Sequence, residues 1–266
     1  MAAAPQPELH LAGTYRRRVE ASLRRVWENV YDWEHLAHLH EGSFAACDLI
    51  DRGAWGWRAR LALANGDEQV IELRTDVRAD RYVSTTLEGT GTGTEIRVAL
   101  APVEPHVTDV AVEFHVPEAR PERLAAIGRA YADIYARLWD EDEVMMRERE
   151  RMLARAAPDC QAPAEVDLGE EAEVRAALPL AVQVAGRRYR VVEVDGALLA
   201  HSTLCPHWLG PLDDAAVVDG RVRCPWHGYL FDVATGRCAT RPNLVLDPAP
   251  VIVVERGRVL AVMPAD

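Results

Sequence analysis

Two short motifs near the end of the chain constrain its fold more than any other feature. Cys205 and His207 form a C-x-H motif, and Cys224 and His227 form a C-x-x-H motif that begins after sixteen further residues. Two thiolates and two imidazoles at this spacing suit a [2Fe–2S] cluster in which two His replace two Cys on one iron. A proline follows each cysteine, which favours a tight turn. The sequence therefore predicts two loops that each offer one Cys and one His to the cluster.

Zinc is the alternative metal for this ligand set, because it also binds two Cys together with two His. Zinc fingers usually space their ligands as a pair of Cys and a pair of His. Here each motif mixes one Cys with one His. The mixed spacing favours the iron–sulfur cluster over zinc.

The residues around the motifs resemble the Rieske family. Cys-Pro-His-Trp-Leu-Gly-Pro-Leu (205–212) and Cys-Pro-Trp-His-Gly-Tyr-Leu-Phe-Asp (224–232) are similar to its two cluster loops. Respiratory-chain Rieske proteins carry an additional Cys in each loop, and this chain has Gly210 and Trp226 in those places. The resemblance is therefore to the oxygenase and ferredoxin branch. It implies a cluster with a reduction potential between roughly −150 and +300 mV.

Length and charge limit the classes of protein that the chain can belong to. Its 266 residues suffice for two domains, and its net charge of −12 argues against a nucleic-acid partner. No apolar run is long enough to span a bilayer, and residues 1–7 lack the basic region and apolar core of a signal peptide. Three of the five Cys are scattered outside the motifs. We therefore expect a cytoplasmic protein without membrane contact.

The pattern along the chain divides it into two domains of an α+β protein. We predict a first domain over residues 1–156, a linker over 157–164 that contains Pro158 and Pro163, and a cluster domain over 165–266. After the linker, short Val-rich runs with frequent turns indicate a small all-β domain. By the resemblance above, that second domain is the Rieske domain.

The first domain follows the order strand, helices, six strands, long helix. The pattern predicts a strand at 10–20, a helix N-cap at Ser22 and a long helix from Pro121 to about 156. The six strands are predicted at 43–51, 54–64, 68–77, 81–88, 94–101 and 107–116. Asn65-Gly66 and the glycine-rich stretch 89–93 are read as hairpin loops. This order resembles the helix-grip fold of the START superfamily, in which a curved antiparallel sheet wraps the last helix around an apolar cavity.

A His-rich segment in the first domain is a candidate metal site. Asp32 and His35 are three residues apart, which places them on one face of a helix. His40 lies five residues after His35 and Gly42 follows soon after, so we expect the helix to end near His40 and to let that imidazole turn back. The alternative is a solvated, His-rich helix end, with His38 as a surface residue.

A carboxylate interrupts the apolar face of the last predicted helix. The apolar stripe steps by three or four residues and consists of Leu124, Ile127, Tyr131, Ile134, Leu138, Met145 and Met152. Asp142 lies on this stripe, where a buried carboxylate is normally paired, neutralised or bound to metal. The alternative is that the apolar stripe shifts around the helix, so that Asp142 lies outside it and reaches solvent beside Glu141 and Glu143.

Together, these residues match a known iron-binding pattern. Two neutral imidazoles and one carboxylate form the facial triad of non-haem Fe(II) oxygenases. With the cluster loops in the same chain, the pattern resembles the catalytic subunit of a Rieske non-haem iron oxygenase, whose D-x-x-H-x-x-x-x-H motif reads here as Asp32, His35 and His40. The resemblance implies that His35, His40 and Asp142 bind mononuclear Fe(II) and that Asp32 is the bridging acid between the cluster and that iron. The order of the domains is reversed relative to the family.

The resemblance implies an O₂-dependent oxidation of a small apolar or aromatic molecule by hydroxylation, demethylation or desaturation. A reductase or ferredoxin would supply electrons, and the chain would form a homo-oligomer, with a trimer as one candidate. The aromatic residues that could line the substrate cavity, or could equally be ordinary core, are Trp55, Trp57, Phe114, Tyr131 and Tyr135. The alternative function is a Rieske electron carrier or redox sensor fused to an iron-free domain that binds a hydrophobic ligand.

Overall fold

The computed structural model describes residues 8–155 and 161–264. The predictions for the N-terminal residues 1–7 and for the first half of the linker, 157–160, lie outside these ranges. The chain divides into two compact units between Glu150 and Arg151, and each unit has its own sheet structure.

The first unit is a seven-stranded antiparallel sheet with one long helix. Its elements are β1 (His10–Val19), α1 (Leu23–Tyr31), α2 (Leu36–Leu39), β2 (Phe44–Gly53), β3 (Gly56–Leu63), β4 (Glu68–Asp76), a short 3-10 turn (Val77–Ala79), β5 (Arg81–Gly89), β6 (Glu95–Glu104), β7 (Val107–Val116) and α3 (Pro121–Leu153). The strand order is β1-β7-β6-β5-β4-β3-β2, so the first strand pairs with the last strand, β7, at one edge of the sheet. The order and type of these elements confirm the predicted helix-grip fold.

The core of this unit lies between the sheet and α3. Alternate residues of the strands point inward, and Trp139 and Met146 of α3 are buried among them. Burial of apolar surface on this scale is the main force that holds a helix against a sheet. The predicted apolar stripe on α3 therefore positions the helix along the sheet.

The backbones of α3 and β1 touch where two glycines meet. A Cβ atom on Gly128 would lie 2.1 Å from the carbonyl oxygen of Ala12, and one on Gly13 would lie 3.1 Å from the Cα of Gly128. No side chain fits between the two backbones at this crossing. The glycines therefore set how closely the helix approaches the sheet.

Replacing Gly128 by alanine is expected to destabilise the first unit by about 2 kcal/mol. Alanine favours a helix by about 1 kcal/mol, but overpacking against a rigid backbone costs about 1–3 kcal/mol or more, and here the clash is with the β1 backbone. Thermal unfolding followed by circular dichroism measures the change. Gly42→Ala is the control, because a Cβ there meets open space; equal midpoints for both variants would contradict the close crossing.

The segment between α1 and β2 differs from the predicted single helix. The helix α1 ends at Tyr31, because Asp32 turns to an extended conformation and its Oδ1 accepts a hydrogen bond from the Glu34 N–H at 3.2 Å. Such a side-chain-to-backbone bond competes with helix continuation. The prediction that Asp32 and His35 share one helical face is therefore wrong, although α2 does end next to His40 as expected.

The start of α1 lies where it was predicted. Ser22 occupies the N-cap position, which confirms the prediction, although its side chain makes no capping hydrogen bond. The Ser22 hydroxyl instead donates to Glu150 Oε1 at 3.0 Å. This bond ties the beginning of α1 to the end of α3.

The second unit consists of small antiparallel sheets. Its elements are β8 (Glu165–Glu170), α4 (Glu171–Ala176), β9 (Leu180–Val184), β10 (Arg187–Val194), β11 (Ala197–Ser202), β12 (Val217–Val218), β13 (Arg221–Arg223), β14 (Leu230–Asp232), β15 (Val251–Glu255) and β16 (Arg258–Val262). The strands form three sheets, in the orders β11-β10-β9, β12-β13-β14 and β15-β16-β8. The unit is β-rich as predicted, but α4 corrects the prediction that it contains strands alone.

Local details of the chain agree with most of the turn predictions. The loops at 64–67 and 90–94 join antiparallel strands, as the glycine patterns predict. Within residues 8–155 and 161–264, no helix combines the length and apolar character that crossing a bilayer requires. Cys47 is a free thiol whose pKa rises to about 12 through burial and the charge of Asp48, and Cys160 lies outside the described residues.

Candidate metal centres

Three side chains converge in the first unit, from two distant parts of the sequence. His35 and His40 flank α2, and Asp142 lies on α3; their exposed fractions are 3%, 1% and 7%. The Nε2 atoms of His35 and His40 lie 3.4 Å and 3.1 Å from Asp142 Oδ1. One candidate ligand atom from each residue falls within 4.8 Å of the other two. The structure thus brings together the three predicted iron ligands, while His38 of α2 is not among them.

The outer nitrogen of each imidazole faces a second carboxylate. His40 Nδ1 is hydrogen-bonded to Glu141 Oε2 at 2.6 Å, whereas His35 Nδ1 lies 3.3 Å from Asp32 Oδ2 without forming a hydrogen bond. An acid in this position selects the tautomer that leaves Nε2 free to bind a metal and raises its basicity. Both imidazoles are therefore oriented with Nε2 toward Asp142.

The carboxylate of Asp142 is held as an anion. Burial would raise the pKa of Asp142, but the hydrogen bond from His40, the charges of both imidazoles and the 2.8 Å bond from Asn29 Nδ2 outweigh it and lower that pKa. Burial likewise would lower the pKa of His40, but its bonds to Asp142 and Glu141 outweigh it and raise that pKa. A buried anion with two oriented imidazoles fits a divalent metal ion such as Fe(II).

Two contacts around this site were not predicted from the sequence. Asn29 and Glu141 hold Asp142 and His40, although the sequence pattern indicated Glu141 only as a neighbour of Asp142 and did not indicate Asn29. The signal for Asn29 is its position one helical turn before Asp32, which places its amide near the same end of α1. Asn29 and Glu141 therefore belong to the site as the residues that orient its ligands.

A cavity of about 460 Å³ lies between the sheet and α3 in the same unit. Phe44 lines it, and the Phe44 ring lies 6.4 Å from the ring of His40 between centroids. Tyr131 and Tyr135 also line it, which places two of the five predicted aromatic residues on its wall. Trp57 and Phe114 are buried in the core instead. His40 does not itself line the cavity, so the Phe44 ring is the contact between the cavity wall and the histidine site.

The two predicted cluster loops of the second unit have matching backbones. In each, the N–H of the cysteine donates to the carbonyl of the residue five positions later, at 2.9 Å from Cys205 and 2.8 Å from Cys224. Each cysteine carbonyl accepts from the residue four positions later, at 2.9 Å in both loops. That fourth residue has a left-handed φ, 63° at Leu209 and 64° at Gly228. The two motifs thus form equivalent turns despite their different spacing.

The side chains of these loops face one another. Cys205, Cys224 and His227 are buried and His207 is half-buried. The rings of His207 and His227 are 4.5 Å apart between centroids and nearly perpendicular. Tyr229 packs against both rings, at 4.9 Å and 5.7 Å. The four side chains form a compact, mostly water-excluded donor set.

The two thiols are coupled by a hydrogen bond. The bond from Cys205, together with one from His227, lowers the pKa of Cys224 to about 5, and the same contact and burial raise the pKa of Cys205. Thiolates and imidazoles in this arrangement fit a [2Fe–2S] cluster with mixed ligation. When bound, the cluster would be held by Cys205, Cys224, His207 and His227.

Gly210 leaves the space that these ligands need. A Cβ atom there would lie 2.9 Å from Cys224 Sγ and 3.1 Å from the Trp226 ring. Gly210→Ala is therefore expected to weaken retention of the cluster by about tenfold, as changes beside metal ligands typically do. Iron and sulfide analysis of the purified protein measures the loss, with the exposed Ala216→Ser as control; full cluster content in Gly210→Ala would contradict the tight fit.

Comparison with known proteins places the second unit in a family. Residues 164–252 match the Rieske [2Fe-2S] domain. This segment is a Rieske domain. It follows an N-terminal domain whose strand and helix order is that of the predicted helix-grip fold, so the predicted fold of both domains is confirmed. The match includes all four predicted cluster residues.

The similarity to curated relatives covers about a quarter of the chain. The chain is 35% identical over 78 residues to the oxygenase component of dicamba O-demethylase from Stenotrophomonas maltophilia, which covers 27% of this chain and 23% of that protein. It is 35% identical over 63 residues to the ferredoxin component of the naphthalene 1,2-dioxygenase system from Pseudomonas aeruginosa, which covers 24% of this chain and 61% of that one. The chain thus spans less than two thirds of either relative.

Solved structures resemble the chain more distantly. A START superfamily protein from Mycobacterium smegmatis is 16% identical with a TM-score of 0.43, over 51% of this chain and 96% of that one. The quaternary ammonium Rieske monooxygenase CntA is 13% identical with a TM-score of 0.42, over 55% of this chain and 40% of that one.

Proposed function

We propose that the chain is a Rieske-type non-haem iron oxygenase that uses O₂ and externally supplied electrons to oxidise an apolar or aromatic small molecule. The observation that carries this proposal is the buried convergence of His35, His40 and Asp142 in a chain that also holds a Rieske domain. A Rieske cluster implies one-electron transfer, and a facial triad implies O₂ chemistry. One chain with both would supply electrons and oxygen to one substrate.

Each residue of the candidate iron site has a defined role in this proposal. His35, His40 and Asp142 would bind Fe(II), which supplies O₂ activation when bound. Glu141 holds the His40 ring by a hydrogen bond, the Asp32 carboxylate faces His35 Nδ1 at 3.3 Å, and both ligand histidines are shielded from bulk water by their burial. The chain's contribution is thus a fixed ligand geometry in a site from which water is largely excluded.

The cavity supplies the place for the substrate. Its walls are mostly apolar and aromatic, and a volume of about 460 Å³ falls within the range of small-molecule sites. Phe44 connects it with His40 through adjacent rings. We propose that the substrate binds here and that the reaction occurs at its end nearest α2.

Electrons would come from a reductase or ferredoxin. His207 and Trp208 are half-buried, so the cluster loops keep a partly open edge for such a donor. By its likeness to the family, we propose a homo-oligomer in which Asp32 connects the cluster of one subunit with the iron of another.

The match to a ferredoxin component favours a second candidate function. That relative is similar to 24% of this chain, which is compatible with an electron carrier or redox sensor attached to an iron-free ligand-binding domain. Oxygen consumption distinguishes the two functions. We expect the full chain, given a ferredoxin, its reductase and candidate aromatic substrates, to consume O₂ only when the first unit holds Fe(II). A reversible redox couple without iron-dependent O₂ consumption would support the carrier and refute the oxygenase.

A further inference from the structure

The cavity of the first unit carries a single charge on its wall. Among the described residues that line it, Arg137 of α3 is the only one with a charged side chain. The remainder are apolar, aromatic or neutral polar residues contributed by the sheet and by α3. A lone cation beside an apolar space is a feature that selects among ligands by charge.

Arg137 has no acidic partner among the described residues. Within the part of the chain that the structure describes, it forms no ion pair, whereas nearby arginines do: Arg17 pairs with Asp140 and Glu143, and Arg149 pairs with Glu28. Its guanidinium therefore keeps all five donors available in a planar fork that matches a carboxylate.

Acidic residues near Arg137 on the same helix do not neutralise it. Glu141 lies one turn further along α3, but its carboxylate bonds His40 Nδ1 at 2.6 Å. Asp133, one turn before, makes no ion pair among the described residues. An anion for Arg137 must therefore come from solvent or from a ligand.

The position of Arg137 fixes how such a ligand would lie. Along the axis of α3, Arg137 lies roughly 7–8 Å before Asp142, because five residues separate them. Ile127, at the other end of the lining, lies roughly 15 Å before Arg137 along the same axis. The cation thus lies at the end of the cavity nearer the histidines. A ligand's anionic group would be held there, and its apolar body would extend along α3.

We propose that the cavity binds a small aromatic or apolar carboxylate and that Arg137 pairs with the carboxylate. That this ligand is the substrate rests on the oxygenase function proposed above; the binding itself does not. The apolar walls supply the affinity for the body of the ligand, and the bidentate pair supplies the choice of an anion over a neutral analogue. Arg137 is thus a specificity-determining residue.

A matched pair of probes tests the proposal by direct binding. 1-Naphthoate and 1-naphthalenemethanol share the aromatic body and differ in charge, and isothermal titration of the full chain measures the affinity for each. Because Arg137 is exposed, and exposed ion pairs are weak, we expect the wild type to bind the carboxylate about two- to fivefold more tightly. Arg137→Met should remove that preference and leave the affinity for the alcohol unchanged.

Two controls make each result decisive. Arg129→Met changes an exposed arginine of the same helix that does not line the cavity, and it should retain the preference. Ser84→Trp fills the cavity from the sheet and should weaken both probes, which places the binding there. Equal affinities in the wild type, or a preference that survives Arg137→Met, would overturn the proposal.

The titrations also separate this proposal from the oxygenase function. They are run on protein with and without added Fe(II), and the iron content is measured independently. Carboxylate preference without iron binding would leave the inference standing and refute the oxygenase. Iron binding without a preference for the carboxylate would overturn the inference about Arg137 and leave the oxygenase function standing.

Discussion

Asp142→Ala is expected to lower the iron content of the chain from about three atoms to about two and to reduce O₂-dependent turnover to background. The side chain lies within 3.4 Å of both His Nε2 atoms and is the only carboxylate of the converging set among the described residues. Two imidazoles alone do not complete a facial triad. Iron analysis and the visible absorption of the cluster measure the two metals separately.

The control for Asp142→Ala is Asp133→Ala, an exposed position on the same helix. It should keep all the iron and full turnover. Because Asn29 and His40 lose a buried partner when Asp142 is removed, circular dichroism should verify that the variant is folded. A folded Asp142→Ala variant with unchanged iron content would contradict the assignment of Asp142 as a ligand.

Asp32→Asn is expected to keep both metals and to slow turnover by about 10–100-fold. Asn preserves the shape of the side chain, but it removes the negative charge that faces His35 Nδ1 at 3.3 Å. Loss of such an outer contact typically reduces activity by about 10–100-fold. In the proposed function this acid lies on the electron path, so we expect the slow step to be reoxidation of the cluster.

Stopped-flow spectroscopy checks this expectation. The cluster is reduced first, and its reoxidation is followed after mixing with O₂ and substrate. The exposed Asp51→Asn should behave like the wild type. If Asp32→Asn reoxidised at the wild-type rate with all iron present, Asp32 would have no part in electron delivery.

The cluster ligands could be predicted from sequence because their geometry is local. Each loop is closed by hydrogen bonds that span four or five residues, so the spacing of Cys205, His207, Cys224 and His227 already defines the turns. Hydrophobic alternation and helical periodicity similarly defined the sheet and α3. Asp142 was a candidate because a carboxylate on an apolar stripe needs a partner.

Contacts that depend on packing could not be predicted in the same way. The end of α1 at Asp32 follows from a side-chain bond to Glu34 that competes with the helix, and periodicity does not report it. Glu141 and Asn29 meet the two ligands only because α3 crosses next to α1 and α2. The approach of Gly128 to β1 is likewise a property of the folded unit.

The ratio of iron to acid-labile sulfide in the full chain tests the central claim most directly. Two irons and two sulfides belong to the cluster, and the triad of His35, His40 and Asp142 adds one iron without sulfide. After reconstitution with Fe(II), we predict about three irons and about two sulfides per chain. A chain that binds no iron beyond its two sulfide-bridged atoms would contradict the account.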